Sequence, residues 1–332
     1  MNTAFEFHAG ERLIQSLAGE SAVAERNGTM IANMVIAGAR GFIEKQFMVL
    51  LGSVDAHGRP WASVIYGTPG FSRTLDGTSI LMDAPAAARD PLDPVWSNIA
   101  VGSAIGMLFI ELSTRRRYRI NGSVKKMNDR GLVVDIDEAY PNCPKYIQRR
   151  QLSALEAAGD ALSNVTNNVI NNVVTEAGAS VQRGNVLSED ARRLLQQADT
   201  LFVASAHPQH GADISHRGGN PGFIQVLDNG TLRIPDYHGN SMFNTLGNMQ
   251  AYPLSGLLVQ DFSHNRVLQL TGEATVRWDI EDAGGATGGT GRYWDFQIKE
   301  WILRPVPQRL EWQYVDASPF NPITGGSEEV LP

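Results

Sequence analysis

The segment Ile234-Pro-Asp-Tyr-His-Gly-Asn-Ser-Met-Phe-Asn-Thr-Leu-Gly-Asn248 is the richest in hydrogen-bonding side chains. It reads as a strand exit, a turn at Gly239 and a helix start that Asn240 or Ser241 would cap. A helix N-terminus offers free N–H groups and positive dipole, which suit a phosphate. Arg217, on the preceding paired strand, could add a cation. A plain capped helix is the simpler alternative, but the density of donors in a single turn favours a ligand.

Other chemistry-bearing groups are weaker. His207, His210 and His216, with Asp213 between them and His238 further on, contain the ingredients of a metal site. Nothing in their spacing fixes one, so no metal is assigned and a polar rim around another ligand is preferred. Cys143, in Asn142-Cys-Pro-Lys-Tyr146, has no dedicated base nearby in sequence. It reads as a structural cysteine first and a ligand-lining one second. The run Arg115-Arg-Arg-Tyr-Arg119 reads as a tight turn between strands, or as a phosphate or carboxylate clamp at a domain interface. Gly284–Gly291 (GGATGGTG) loosely echoes a dinucleotide fingerprint, but no helical pattern follows it, so it is read as a loop. No phosphate loop of the G-x-x-x-x-G-K-[ST] type occurs.

Composition narrows the classes. The 332 residues suit about two domains, and 42% hydrophobic with 19% charged residues is ordinary for a globular protein. A formal net charge of −7 argues against a general nucleic-acid binder. The single cysteine excludes an intramolecular disulfide. The first residues lack a signal-peptide pattern and no apolar run reaches membrane-span length, so a cytoplasmic protein without a membrane partner is expected.

The elements that must position these groups come as a repeat. Gly70 and Gly222 stand 152 positions apart (222 − 70), and the same offset pairs Ser53/Ser205, Ser63/Ser215, Gly67/Gly219, Pro69/Pro221, Phe71/Phe223, Leu75/Leu227 and Asp76/Asp228. Further on the offset becomes 150 (248 − 98), pairing Asn98/Asn248, Gly106/Gly256, Leu108/Leu258, Ser113/Ser263 and Gly122/Gly272. Two copies are too few for a solenoid, so two similar domains packed as a pseudo-dimer are expected.

Each copy reads as short strands punctuated by Gly and Pro. In the first these are Phe47–Ser53, Trp61–Tyr66, Thr78–Met82, Ile105–Leu112 and Tyr118–Val124. In the second they are Leu201–Ser205, Gly222–Leu227, Thr231–Ile234, Gly256–Phe262 and Val267–Val276. Helices are expected over His8–Glu20, over Tyr146–Ala158 and from a Ser188 cap to Ala198; Asn164–Val174 is left unassigned. The predicted layout is a helical segment (1–40), a first barrel (41–140), a helical linker (141–198), a second barrel (199–320) and a tail (321–332).

The Ile234–Asn248 turn, the following Gly256-Leu-Leu-Val-Gln-Asp-Phe262 and the upstream Ala212-Asp-Ile-Ser-His-Arg-Gly-Gly-Asn-Pro-Gly-Phe223 resemble the pyridoxamine 5′-phosphate oxidase-like FMN-binding split-barrel family. Pro307-Gln-Arg-Leu-Glu-Trp-Gln313 resembles that family's closing strand. Gly58-Arg-Pro-Trp-Ala-Ser63 and Asn142-Cys-Pro-Lys-Tyr-Ile-Gln-Arg-Arg150 resemble segments of the same group. The second half carries the more specific likeness. The resemblance implies a mainly β, α+β fold: two tandem split β-barrels packed as a pseudo-dimer, with flanking and linking helices.

It also implies FMN in a groove where barrels meet, held mainly by the second. His216 and Arg217 would serve from the strand. Asp236, Tyr237, Asn240, Ser241, Met242, Asn244 and Thr245 would serve from the turn and helix start. Trp312 and Gln313 would stand where the closing strand approaches the flavin. Met242 replaces a basic residue of the family pattern, and the family's C-terminal substrate tail is missing after Tyr314, which argues against pyridoxamine phosphate as substrate. The implied activity is FMN-dependent redox transfer to a small molecule or protein partner, with no catalytic acid or base named. The alternative is a flavin- or haem-binding carrier, sensor or electron-transfer module without turnover. Barrel edges favour pairing, so a homodimer is one expected assembly.

Overall fold

The repeated strands close into two antiparallel sheets with the same internal order. In the computed structural model, which describes residues 5–156, 181–227, 230–282 and 284–322, seven strands form the first sheet. They are β1 (Met48–Val54), β2 (Pro60–Tyr66), β3 (Ser72–Arg73), β4 (Ser79–Asp83), β5 (Ala104–Glu111), β6 (Arg116–Asn128) and β7 (Gly131–Pro141), in the spatial order β2-β1-β5-β6-β7-β4-β3. The second sheet contains β10 (Thr200–His207), β11 (Gly211–Gly218), β12 (Gln225–Val226), β13 (Thr231–Pro235), β14 (Leu254–Asp261), β15 (Arg266–Arg277) and β16 (Tyr293–Pro305). Its order, β11-β10-β14-β15-β16-β13-β12, repeats the first strand for strand.

The correspondence reaches single hydrogen bonds. Asn98 Nδ2 donates to Ser53 Oγ at 3.1 Å, and Asn248 Nδ2 donates to Ser205 Oγ at 3.0 Å. A bulge interrupts β6 against β7 at Asn121/Gly122 and β15 against β16 at Thr271/Gly272, which bends each sheet at the same place. Asp228, the tail beyond 322 and the Asn164–Val174 segment lie outside the described residues.

Each barrel has its own core, around Val49, Phe109 and Ile120 in the first and Val203, Trp294 and Phe296 in the second. A third apolar cluster joins them, with Met48, Leu50, Leu108 and Ile110 meeting Phe202, Ile214, Leu258 and Val267. The approach is close enough to exclude side chains. A Cβ on Gly106 would stand 2.7 Å from the Asp213 Cα, and one on Gly256 would stand 2.5 Å from the Pro60 carbonyl oxygen.

Helices α1 (Ala9–Leu17), α2 (Ser21–Gly28) and α3 (Ala37–Glu44) precede the first barrel. His8 caps α1 by accepting from the Gly10 N–H, while Glu11 returns the bond to the His8 N–H. The short α4 (Val95–Asn98) follows β4, and α5 (Glu189–Gln197) is capped by Ser188 as expected. Helix α6 (Asn244–Ala251) follows β13 and packs on α1.

Over its described part, Tyr146–Glu156, the helix expected for Tyr146–Ala158 is not formed. Arg149–Glu156 is strand β8, paired with β17 (Arg309–Asp316) from the far end of the chain. Tyr146 adopts a left-handed φ of 65° just before it. Leu152 and Leu155 then lay their side chains on the inter-barrel cluster, and this pairing overrides modest helix propensity. The described part of the segment between the barrels thus combines strand β8 with helix α5, and residues 157–180 lie outside the described residues. It also holds β9 (Gln182–Gly184), paired to β16. The expected strand Gly222–Leu227 shrinks to the two residues of β12. Among the described residues no helix is long and apolar enough to cross a membrane.

The glycine contact gives a direct test. Gly106→Ala and Gly256→Ala should each cost about 1–3 kcal/mol, because backbone rather than a flexible side chain must yield. Denaturant unfolding of both variants checks this. Unfolding midpoints equal to the wild type's would mean that the barrels do not meet as described.

Candidate functional site

Strand β11 ends at Gly218 beside the exit of β13, so His216 and Arg217 face Asp236 and Tyr237 across one cleft. The chain then turns sharply, with Ser241 at φ 62° and Phe243 at φ 60°, before entering α6. The expected cap differs from the observed one. Phe243 occupies the N-cap position without a side-chain bond, and Asn240 Oδ1 instead accepts from the Met242 N–H at 3.2 Å inside the turn. Two consecutive left-handed excursions move the helix start beyond the reach of Asn240 and Ser241.

The cleft has a volume of about 90 Å³ and is completed by the first barrel, through Arg117 and Arg119 of β6 and through Asn142 and Cys143 after β7. An adjoining pocket of about 60 Å³ shares Arg117, Cys143, His216, Arg217 and Tyr237, and extends to Lys145 and Tyr146. The sequence-predicted residues His216, Arg217, Asp236, Tyr237, Asn240, Ser241, Asn244 and Thr245 therefore come together. Met242 does not line the cleft; it is fully buried, and its carbonyl accepts from Gln15. Trp312 and Gln313 lie elsewhere, on β17. The Trp312 ring packs 5.6 Å from Phe47 and 5.3 Å from Phe262, because the closing strand pairs with β8 rather than reaching the cleft.

The charges are unevenly matched. Arg217 is held by Asp236 at 2.5 Å, and Asp236 also accepts from Arg292 Nε at 3.0 Å. Arg119 makes a buried pair with Asp213 at 2.7 Å. Arg117 pairs with no carboxylate among the described residues; its Nε donates to the Cys143 carbonyl at 2.7 Å and one terminal nitrogen to the His216 carbonyl at 3.2 Å. Burial and the neighbouring Arg119 and Arg217 push Arg117 down to about 9, still charged at neutral pH. Burial, with Arg117 and Arg217 beside it, pushes His216 well below the usual histidine range, so its ring is neutral.

Three nitrogens in this lining are buried without a hydrogen-bond partner: Arg119 Nε, His216 Nε2 and Arg217 Nε. Arg117 faces His216 Nδ1 at 3.4 Å, so that nitrogen accepts and the ring proton belongs on Nε2. All three are then orphaned donors, and buried donors without partners are rare in folded proteins.

A cover lies over the turn. Glu20, between α1 and α2, accepts from Ser241 Oγ and from Arg292 at 3.2 Å, while Asn27 of α2 donates to the Asn240 carbonyl at 2.8 Å. Beneath α1, Glu11 accepts from Asn244 Nδ2 at 2.6 Å. Burial pushes the Glu11 and Glu138 carboxyls up to about 7 and the His8 imidazole down to about 4. The histidines grouped in the sequence are split: His207 and His210 pack on His8, at ring separations of 4.4 and 5.3 Å, whereas His216 lies in the cleft. Sequence reasoning read Arg117 and Arg119 as part of a tight turn, or of a phosphate or carboxylate clamp at a domain interface, and did not assign them to this cleft. Their spacing of two, which puts both on one face of a strand, was the available signal.

Residues 37–159 match the family model for pyridoxamine 5′-phosphate oxidase, so the first barrel is similar to that family. The match falls on the first barrel, not on the half that looked more specific by sequence. Solved structures similar to this chain include HupZ of Group A Streptococcus (11% identity, 36% of this chain and 99% of that one, TM-score 0.30). A putative pyridoxamine 5′-phosphate oxidase of Lactobacillus delbrueckii is 16% identical (36% and 94%, TM-score 0.29). An FAD-binding protein of Mesorhizobium loti is 12% identical (39% and 98%, TM-score 0.27). No curated protein matches.

Two outcomes follow from these pairs. Arg119→Met should destabilise the fold by about 3–5 kcal/mol in denaturant unfolding, because it leaves Asp213 buried and unpaired; a loss below about 1 kcal/mol would show the pair to be solvated. Glu11 binds its proton more tightly in the folded chain than at its usual value of 4.5, so its contribution is complete below pH 4.5 and is lost as pH rises towards 7. Glu11→Gln has no such proton to lose. Its unfolding midpoint relative to the wild type should rise across that window, and parallel curves would show Glu11 ionised throughout.

Proposed function

We propose that the cleft between Arg117, His216 and Arg217 receives the phosphate of FMN, and that the chain is a flavin-dependent oxidoreductase acting on a small molecule or a protein redox partner. The observation that carries this reading is the set of orphaned donors on Arg119, His216 and Arg217, beside an Arg117 with no carboxylate partner. Arginine's rigid fork suits a phosphate, and a neutral histidine adds a donor without further charge repulsion. Asn240, Ser241 and Thr245 supply amide and hydroxyl groups from the turn and helix start. When bound, the flavin supplies hydride or single-electron transfer, which no side chain here can perform alone.

The residues divide the work of binding. Arg117 and Arg119 cross from the first barrel, so the anion would be gripped by both halves. Asp236 holds Arg217 and Arg292 in place. Small-molecule sites usually measure about 300–1,000 Å³, so a cleft of about 90 Å³ admits the phosphate and not the ring system until the cover over Ser241 moves. The closing strand ends at Asp316, held by Arg115 and Arg149 away from the cleft, so it brings no basic substrate tail to it.

Titration with FMN, followed by quenching of flavin fluorescence, tests the assignment. Arg117→Ala combined with Arg217→Ala should weaken binding at least about tenfold, a loss of about 1.4 kcal/mol or more. Glu20→Gln, which removes a carboxylate competing for Ser241 and Arg292, should strengthen it several-fold. Unchanged affinity in the double arginine variant would end this reading. Turnover of a reduced nicotinamide with the FMN-loaded chain separates an enzyme from a carrier.

A further inference from the structure

The first barrel holds the counterpart of this cleft, and its contents are different. It is an open cavity of about 620 Å³ between Val64–Phe71, the Ala84–Trp96 segment and Arg304–Gln308 of the second barrel. That volume lies within the ordinary range for a small-molecule site. Strands β2 and β11 keep the same register, so residues 152 apart (216 − 64) occupy equivalent places. Where the second barrel carries His216, Arg217 and Asp236, the first carries Val64, Ile65 and Ala84.

The arginines of this cavity are not available to an anion. Arg304, 2% exposed, donates to Gln269, Asp90 and Asp93. Arg89 donates to the carbonyls of Ala84 and Asn128, and its guanidinium carbon stands 4.9 Å from the centre of the Trp96 ring. Asp83 is held by Arg73 at 2.5 Å, while Asp90 and Asp93 share the one Arg304, and burial raises the Asp90 carboxyl above its usual range. A dianionic phosphate would lose its water here and meet carboxylates. A flat ring would find the Trp96, Pro85 and Pro307 faces, and the Asp90 carboxyl would accept from a ring N–H.

We propose that the first-barrel cavity is a second binding site, built for a planar heteroaromatic molecule that carries no phosphate. The site goes beyond the flavin reading and does not depend on it.

The test uses the full chain and lumichrome, a neutral tricyclic ring without a phosphate, followed by fluorescence titration. Ala88 is exposed on the cavity rim, so Ala88→Trp fills the opening without disturbing the core. One lumichrome per chain is expected, weakened at least about tenfold by Ala88→Trp. Its binding should be unchanged in the Arg117→Ala, Arg217→Ala double variant and insensitive to inorganic phosphate. Absence of binding, binding indifferent to Ala88→Trp, or binding lost with the arginines would each overturn the proposal. FMN binding is measured on the same variants. If FMN fails to bind while lumichrome behaves as stated, only the flavin reading falls. If FMN is lost in Ala88→Trp yet kept in the arginine variant, the flavin occupies the first cavity and both readings fall.

Discussion

Everything in this molecule is arranged around one backbone contact. Gly106 and Gly256, equivalent residues on β5 and β14, each admit the main chain of the other barrel to a distance that a Cβ would forbid. Two sheets meeting so closely must bury a shared apolar face, which Leu50, Leu108, Ile214 and Leu258 supply. They must also satisfy the polar groups trapped at its margins. Gln269 does so by donating across the interface to the Ala62 carbonyl at 2.8 Å and to Ser63 Oγ at 3.2 Å. The contact therefore fixes the relative position of strand ends that lie far apart in sequence, and two clefts form at its two ends.

The clefts share a frame but have opposite character. At one end Arg119 and Arg117 reach from the first barrel into the second, where only Arg119 meets a carboxylate. At the other, Arg304 reaches from the second barrel into the first, where Asp90 and Asp93 both meet it. A buried ion pair contributes little net stability over an apolar pair, but removing one partner is costly. Each end therefore resists single substitutions while leaving its unpaired surplus free for ligands. The surplus is cationic beside His216, where Arg117 lacks a carboxylate, and acidic beside Trp96, where Asp90 and Asp93 share the one Arg304.

Much of this was legible in the sequence, because a repeat at constant offset constrains itself. The paired glycines, the matched serines and asparagines of the two copies and the turn at Gly239 could be read directly, and the structure gathers most of the turn's side chains in one cleft. Other features depend on partners that local sequence cannot reveal. Arg149–Glu156 has helical composition, but β17 pairs with it from the end of the chain. Trp312 and Gln313 were placed by the likeness of their strand, and that strand runs along β8 instead. The Glu20 cover had no signal, since one glutamate between two short helices is unremarkable until its acceptor position above Ser241 is seen. The orphaned nitrogens are likewise a property of the assembled cleft.

The location of the family match sharpens the argument. Residues 37–159 carry it, yet the donors suited to an anion stand mostly on the second barrel. The two barrels nevertheless share one frame of strand order and bulge position. Frame positions cannot change without disturbing the glycine contact, whereas cleft positions at the strand ends can. Resemblance and ligand chemistry are therefore free to separate within one chain. Neither half owns a site, because Arg117 is idle without His216 and Asp90 is idle without Arg304. A half-chain would retain its own strands while losing one wall of each cleft.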